Sequence, residues 1–398
     1  MKVRWFFSLL TFVLIGLISP SVRAADVKIT PLGVVTNQFC AGDRALLFED
    51  PTGVRVLIAP GRTVGLLTGG PPPTSAVGSA DPRIAPIGSV HVLLIDHPHV
   101  DHIGDVRHTN CAGTTSVPFQ APGNTESNAA EIAAVHKSAV LVGGELPDFF
   151  TQKISNVSPS FAVLPAVQKG CPAAGLDNTF LVPSTARAVN NACVGVIRGG
   201  TRTAVFAEQT DGVKITTIPA FHAAGASRAH VDELKASNDP LSATVADPGI
   251  PFGLTGYAGS ETGYIIRFTN GLSVLWTGDS GLIGDWETQA RFYKVNLAVV
   301  HGGDLFTMGP DEAAFAVKEL IKAKSVIPEH FNQVSTDTNG VVQAGTRLER
   351  FIQQLQGSHG HSSSKSSNRG RGDDGKVKVI VPLSFVPIFC DGKGNCTQ

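Results

Sequence analysis

The sequence predicts an α/β or mixed fold, and two patterns carry that expectation. Short β-favouring runs open the chain, and strand-like runs alternate with helix-like ones through its second half. Of the 398 residues, 42% are hydrophobic and 16% charged, which supplies a full core and argues against a disordered chain. One large domain, or two modest ones, is expected at this length.

Lys2 and Arg4 precede an apolar run over residues 5–18, and small residues follow as far as Ala24. That is the layout of a secretory signal peptide. The run is shorter than the roughly 20 apolar residues of a spanning helix, so residues 1–24 read as a cleaved leader, with a periplasmic or secreted product. No cysteine follows the expected cut, which argues against a lipid anchor there. Loss of Lys2, Arg4 and Arg23 takes the net charge from -1 to -4. Neither value gives the basic surface that polyanions require. No nucleic-acid partner and no stable membrane insertion after cleavage are therefore expected.

Residues 27–32, 45–49 and 54–58 are β-favouring runs separated by turns such as Asp50-Pro51-Thr52-Gly53, a β-meander opening a main domain over 25–356. Residues 61–87 are dense in Gly and Pro and read as a surface loop. Residues 90–95 (Val-His-Val-Leu-Leu-Ile) form an apolar strand of the kind buried between layers. From about 105 to 212 the pattern is irregular, with one helix at 127–137, and reads as a long insertion decorating the core. Strands are expected again at 213–218, 262–268, 272–276 and 297–300. Residues 310–322 fit an amphipathic helix with Asp311 and Glu312 in its first turn, where negative charge suits the dipole.

Residues 357–375 are low complexity and read as a mobile loop. Arg371-Gly372-Asp373 within it is a chance tripeptide, and His359 and His361 are solvated. Residues 376–389 read as a final strand in a C-terminal segment, 376–398, that ends in a cysteine-containing tail. None of the six cysteines forms a C-x-x-C pair, and an exported chain meets an oxidising compartment, so disulfides are expected. Cys390 and Cys396 flank a short flexible loop that can bring them together, and Cys171 with Cys193 can staple the insertion.

Chemistry concentrates directly after the buried strand, in His97-Pro98-His99-Val100-Asp101-His102. Imidazole nitrogen with carboxylate oxygen is a ligand set for zinc and its neighbours. With 12 histidines in the chain, chance yields this string on the order of 5 times in 10,000, so coincidence is a weak rival. His91, His108, His136 and His230 read instead as core or surface histidines. His222, Asp279 and His330 each follow a predicted strand, where such folds gather their sites. Together they make five imidazoles and two carboxylates, enough for two metals.

The His97-x-His99-x-Asp101-His102 string resembles the signature of the metallo-β-lactamase superfamily. Later motifs follow in that family's order, and the resemblance spans residues 27–331 outside the insertion. Trp276-Thr277-Gly278-Asp279-Ser280-Gly281, Gly303-Asp304-Leu305-Phe306-Thr307-Met308-Gly309-Pro310 and Ile327-Pro328-Glu329-His330 look most like the ascorbate-6-phosphate lactonase and N-acyl-phosphatidylethanolamine phospholipase D type branch. The resemblance implies a four-layer αββα sandwich. It also implies that His97, His99 and His222 hold one metal, that Asp101, His102 and His330 hold a second, and that Asp279 bridges them. Asp96 and Ala59 depart from it, standing where many members have Thr or Ser and Asp; Asp96 can still orient a ligand from behind.

Two divalent transition-metal ions are thus the expected cofactors, zinc first, with manganese or iron as alternatives. Such a pair lowers the pKa of a bridging water from 15.7 toward about 7. The expected function is a secreted hydrolase whose metal-bridged hydroxide attacks a lactone, ester or amide carbonyl, or a phosphodiester, in a small-molecule or lipid-like substrate. Asp101 orients the hydroxide, and His301 contacts substrate or a developing oxyanion. Gly278-Asp279-Ser280-Gly281 lacks the spacing of a serine-hydrolase elbow, and no G-x-x-x-x-G-K-[ST] loop is present. The alternative is a non-catalytic metal-binding module, although seven ligands exceed the four of a closed structural site.

From the leader we expect a mature chain beginning at Ala25. Mass spectrometry of protein from its native compartment checks this, and an intact Met1 contradicts it.

Overall fold

A computed structural model describes residues 25–61, 63, 87–104, 106–108, 110–113, 116–118, 128–143, 146–157, 167–171, 179–182, 192–197, 199–206, 209–222, 225–227, 254–257, 261–357 and 376–398. The leader, most of the 61–87 loop, nearly all of the low-complexity segment, and His230 lie outside them.

Strands β1 (Val27–Leu32), β2 (Ala45–Glu49), β3 (Arg55–Ile58) and β4 (Val92–Ile95) lead into helix α1 (Val100–Ile103). The pair β5 (Val106–His108) and β6 (Ser116–Pro118) follows, then α2 (Asn128–His136), β7 (Ala139–Val142) and α3 (Pro147–Val157). Next come β8 (Gln168–Lys169), β9 (Thr179–Leu181), β10 (Cys193–Val196), β11 (Thr201–Val205), β12 (Val213–Pro219) and a small pair, β13 (Gly225–Ser227) and β14 (Leu254–Tyr257). The last part holds β15 (Thr262–Arg267), β16 (Ser273–Trp276), α4 (Asp285–Tyr293), β17 (Leu297–His301), α5 (Pro310–Phe315), β18 (Ser325–Glu329) and α6 (Arg347–Gln356). It closes with β19 (Lys378–Val379), β20 (Ile388–Cys390) and β21 (Cys396–Thr397).

Two large sheets result. The first has the order β21-β20-β1-β2-β3-β4-β7-β10-β8 and the second β19-β18-β17-β16-β15-β12-β11-β9. Side-chain alternation divides each central strand between two cores. In β4, Val92 and Leu94 enter the core shared with the second sheet, while Leu93 and Ile95 pack with residues of α2 and α3. In β17, Leu297 and Val299 face the shared core, while Ala298 and Val300 pack with α4, α5 and α6. Both faces are buried, so these strands read as unbroken apolar runs. Each fully buried Leu, Val or Ile contributes about 1.5–3 kcal/mol relative to exposure. Three cores separate four layers, the αββα sandwich that the motifs imply.

Three expectations are corrected. The stretch 105–212 is more than decoration: β7, β8 and β10 extend the first sheet, β9 and β11 extend the second, and α2 and α3 cover the first. Strands of two to five residues set among Gly, Pro and Asn show too little periodicity to be recognised in sequence. The segment 376–389 is two strands, because Pro382 and Pro387 cannot donate to a ladder; β19 joins the second sheet and β20 the first. The 310–322 helix is α-helical to Phe315 and continues as a π-helical turn, Ala316–Ile321.

Cys40–Cys111, Cys171–Cys193 and Cys390–Cys396 form disulfides, and no described cysteine is free. Among the described residues no helix is long and apolar enough to cross a membrane. The bridges span 71, 22 and 6 residues, and the entropy a bridge removes from the unfolded chain grows with the loop closed. Replacing Cys40 and Cys111 by Ala should therefore cost about 2 kcal/mol more than replacing Cys390 and Cys396. Denaturant unfolding of both variants measures the difference, and equal losses contradict it.

Candidate metal centre

Strand direction gathers the site. β4 ends at one edge of the first sheet. In the second sheet β16, β17 and β18 are parallel neighbours, and β12 runs the same way because β15 lies antiparallel to both β12 and β16. Their carboxyl ends therefore share an edge. His97 and His99 follow β4, and Asp101 and His102 sit in α1. His222 follows β12, Asp279 follows β16, His301 ends β17, and His330 follows β18.

Local backbone delivers two of these ligands. Gly278 before Asp279 has φ +64°, and a Cβ there would stand 3.1 Å from the Thr262 carbonyl oxygen. Glycine makes that turn possible. His330 adopts φ 55° without being glycine, as does Asn332 two residues on. Such conformations cost on the order of 1–3 kcal/mol each and are held here by the packing of Phe331, buried between them.

Asp279 is the hub. Its Oδ2 lies 3.2 Å from His102 Nε2, 3.2 Å from His330 Nε2, 3.8 Å from His97 Nε2 and 4.0 Å from His222 Nε2. His99 Nδ1 is 3.3 Å from His222 Nε2. Asp101 Oδ2 is 3.4 Å from His330 Nε2 and 4.0 Å from His102 Nε2. Ligand atoms of His97, His99 and His222 fall within 4.8 Å of one another, and so do those of Asp101, His102 and His330. Asp279 joins the first group through His97 and His222. The Nε2 atoms of His97, His102 and His330, all facing Asp279, are buried without a hydrogen-bond partner. Buried polar nitrogens are otherwise nearly always satisfied, so a convergent set of orphans fits two metal ions.

The outer face of the cluster fixes the rings. Asp96 Oδ1 accepts from the His97 backbone N–H and faces His102 Nδ1 at 3.0 Å and His97 Nδ1 at 3.3 Å, which leaves both Nε2 atoms aimed inward. The Trp276 indole N–H donates to Asp96 Oδ2 at 3.4 Å. Burial pushes the Asp279 carboxyl up, but the facing His330 and His102 hold it well below the usual range. Burial raises Asp101 too, and Arg44, with the nearby His330 and His102, returns it well below. Burial, with neighbouring histidines, lowers His99 to about 3 and His222 to about 4, so both are neutral imidazoles, the form that binds metal.

His301 is corrected. It is fully buried, its Nδ1 lies 2.7 Å from Asp279 Oδ1, and its ring meets Trp276 edge to face. Burial lowers its pKa to about 4, so the neutral ring donates to the carboxylate. The structure thus sets it against Asp279, which it positions. Two residues escaped the sequence reading. Glu261 stands just before β15, whose antiparallel course starts at the site edge, and its Oε1 is 2.9 Å from His97 Nδ1. Arg44, just before β2, has Nη2 2.9 Å from Asp101 Oδ2. Neither belongs to a local motif; a buried charged residue beside a strand end was the only signal. His91 accepts from the Arg55 backbone N–H, and neither it nor His108 nor His136 joins a metal-binding group.

No family model matches the chain. It is similar to UPF0173 metal-dependent hydrolases. The match to that of Pelotomaculum thermopropionicum is 35% identical over 145 residues, 35% of this chain and 53% of the relative, so the chain spans about half of that relative's length. A Cupriavidus taiwanensis member is 25% identical over 332 residues, covering 82% of this chain and 87% of its own. Among solved structures, the metallo hydrolase Igni18 from Ignicoccus hospitalis gives a TM-score of 0.47 at 19% identity, covering 91% of this chain and 98% of its own. The isothiocyanate hydrolase from Delia radicum gut bacteria gives 0.43 at 14%, covering 92% and 99%. The two structural scores are too low to carry an assignment.

Proposed function

We infer that the chain belongs to the metallo-β-lactamase superfamily and acts as an exported, binuclear metal-dependent hydrolase, with zinc the first candidate metal. One observation carries this reading: two groups of three ligands gather around one buried carboxylate, which three unpartnered imidazole nitrogens face. The similarity to named metal-dependent hydrolases supports it. Three disulfides and the leader pattern support export. Within the superfamily, the Trp276–Gly281, Gly303–Pro310 and Ile327–His330 strings favour the lactonase and phospholipase D type branch.

Two divalent ions, when bound, supply an activated water and polarise the oxygen under attack. His97, His99 and His222 would hold one ion and Asp101, His102 and His330 the other, with Asp279 between them. His301 donates to Asp279 Oδ1 and keeps Oδ2 turned toward the imidazoles. Asp96 fixes the tautomers of His97 and His102. Asp101 is the open carboxylate of the centre, its side chain 22% exposed against 3% for Asp279, so it is the one placed to orient a water and accept its proton. Phe221, next to His222 and 78% exposed, favours a substrate with an apolar portion beside a lactone, ester, amide or phosphodiester.

A hydrolysis screen across those bond classes, run on the metal-loaded protein and its Asp101→Asn variant, tests the reading. The variant should lose about 100-fold or more in kcat while its melting temperature changes far less, and His136→Ala should leave turnover nearly unchanged. Full activity in Asp101→Asn at unchanged metal content would place the reaction at another site.

A further inference from the structure

Arg44 is 5% exposed and held by two partners beside the centre. Its Nη2 lies 2.9 Å from Asp101 Oδ2 and donates to Asn332 Oδ1 at 2.8 Å, while its Nε is buried without a partner. It thus spans the α1 ligand and the strained turn that carries His330. Among the described residues it is the only Lys or Arg paired with a member of the ligand set. Asp96 backs both ligand groups, 3.0 Å from His102 Nδ1 and 3.3 Å from His97 Nδ1, but the His97 group has a second carboxylate behind it, Glu261 at 2.9 Å from His97 Nδ1, where the other group has Arg44.

On the binuclear reading above, on which this rests, we propose that Arg44 makes the two metal sites unequal. The ion held by Asp101, His102 and His330 binds more weakly than the one held by His97, His99 and His222, and loads second. A guanidinium cannot relieve the conflict by losing its proton. In the metal-free protein it already satisfies part of the Asp101 charge, so an arriving ion must share that carboxylate with a fixed positive group. The repulsion scales with the product of the charges and is doubled for a divalent ion in a water-poor site. Against it stands the positioning that Arg44 gives to Asp101 and, through Asn332, to the His330 turn. That gain is one or two hydrogen bonds of modest net value, and the repulsion is larger. Arg44 is therefore a positioning residue that also keeps the second ion exchangeable.

Stepwise Zn²⁺ titration of the metal-free protein against a chromophoric chelator reads this without any substrate. The unmodified protein should bind in two steps separated by about tenfold or more. Arg44→Met should tighten the second step by about tenfold or more and leave the first within about threefold, whereas Arg44→Lys, which keeps the charge, should retain the separation. Melting curves of the metal-free variants verify folding, and Arg44→Gln repeats the test with a neutral polar side chain. Equal steps in the unmodified protein, or no tightening in both neutral variants, overturn the role of Arg44. Uptake of no more than one equivalent at saturating Zn²⁺ overturns the binuclear reading itself, so the two failures are distinguishable.

Discussion

Everything in this protein turns on the burial of Asp279, a carboxylate 2% exposed, facing four imidazoles and holding a fifth behind it. An isolated ion in such a place costs several kcal/mol; burial alone would lower His97 and His102, but the facing carboxylates raise both, so these rings offset part of that cost, while the unpartnered imidazole nitrogens add unsatisfied polar groups to it. Cations at the centre would offset both terms at once. The frustration of the metal-free cluster is the physical argument for its cofactor.

The sandwich exists in the form that lets this cluster assemble. Five strands of the second sheet present either their carboxyl ends or, for β15, an amino end at one edge, and β4 does so from the first sheet. The apolar cores above and below keep water from the inner faces of those strands. Strain is confined to where a ligand must turn inward, at Gly278 and at His330 with Asn332. Charge is arranged unevenly: Asp96 stands behind His97 and His102 alike, Glu261 behind His97 alone, and a guanidinium stands beside Asp101.

The residues that were legible in sequence were those with local patterns. His97 to His102 form a short string behind an unbroken apolar strand, and Asp279 and His330 follow strands whose β-branched residues mark them, so position after a strand pointed to the site. The irregular stretch 105–212 was not legible, since β7 to β11 acquire meaning only through partners distant in sequence, such as β7 beside β4. Arg44 and Glu261 were hidden for the same reason: each is an ordinary charged residue until its strand is set beside the motif. His301 was found, but its contact with Asp279 was not legible, because a histidine at a strand end looks the same in sequence whether it faces a buried carboxylate or open space. The structure shows it buried, 2.7 Å from Asp279.

The central claim is that two metal ions occupy this cluster with Asp279 between them. Anomalous scattering from crystals of the zinc-loaded protein, collected on both sides of the zinc absorption edge, tests it most directly. The account predicts two peaks about 3.5–4 Å apart, one against His97, His99 and His222 and the other against Asp101, His102 and His330. A single peak, or none, in crystals of protein carrying excess zinc would contradict it.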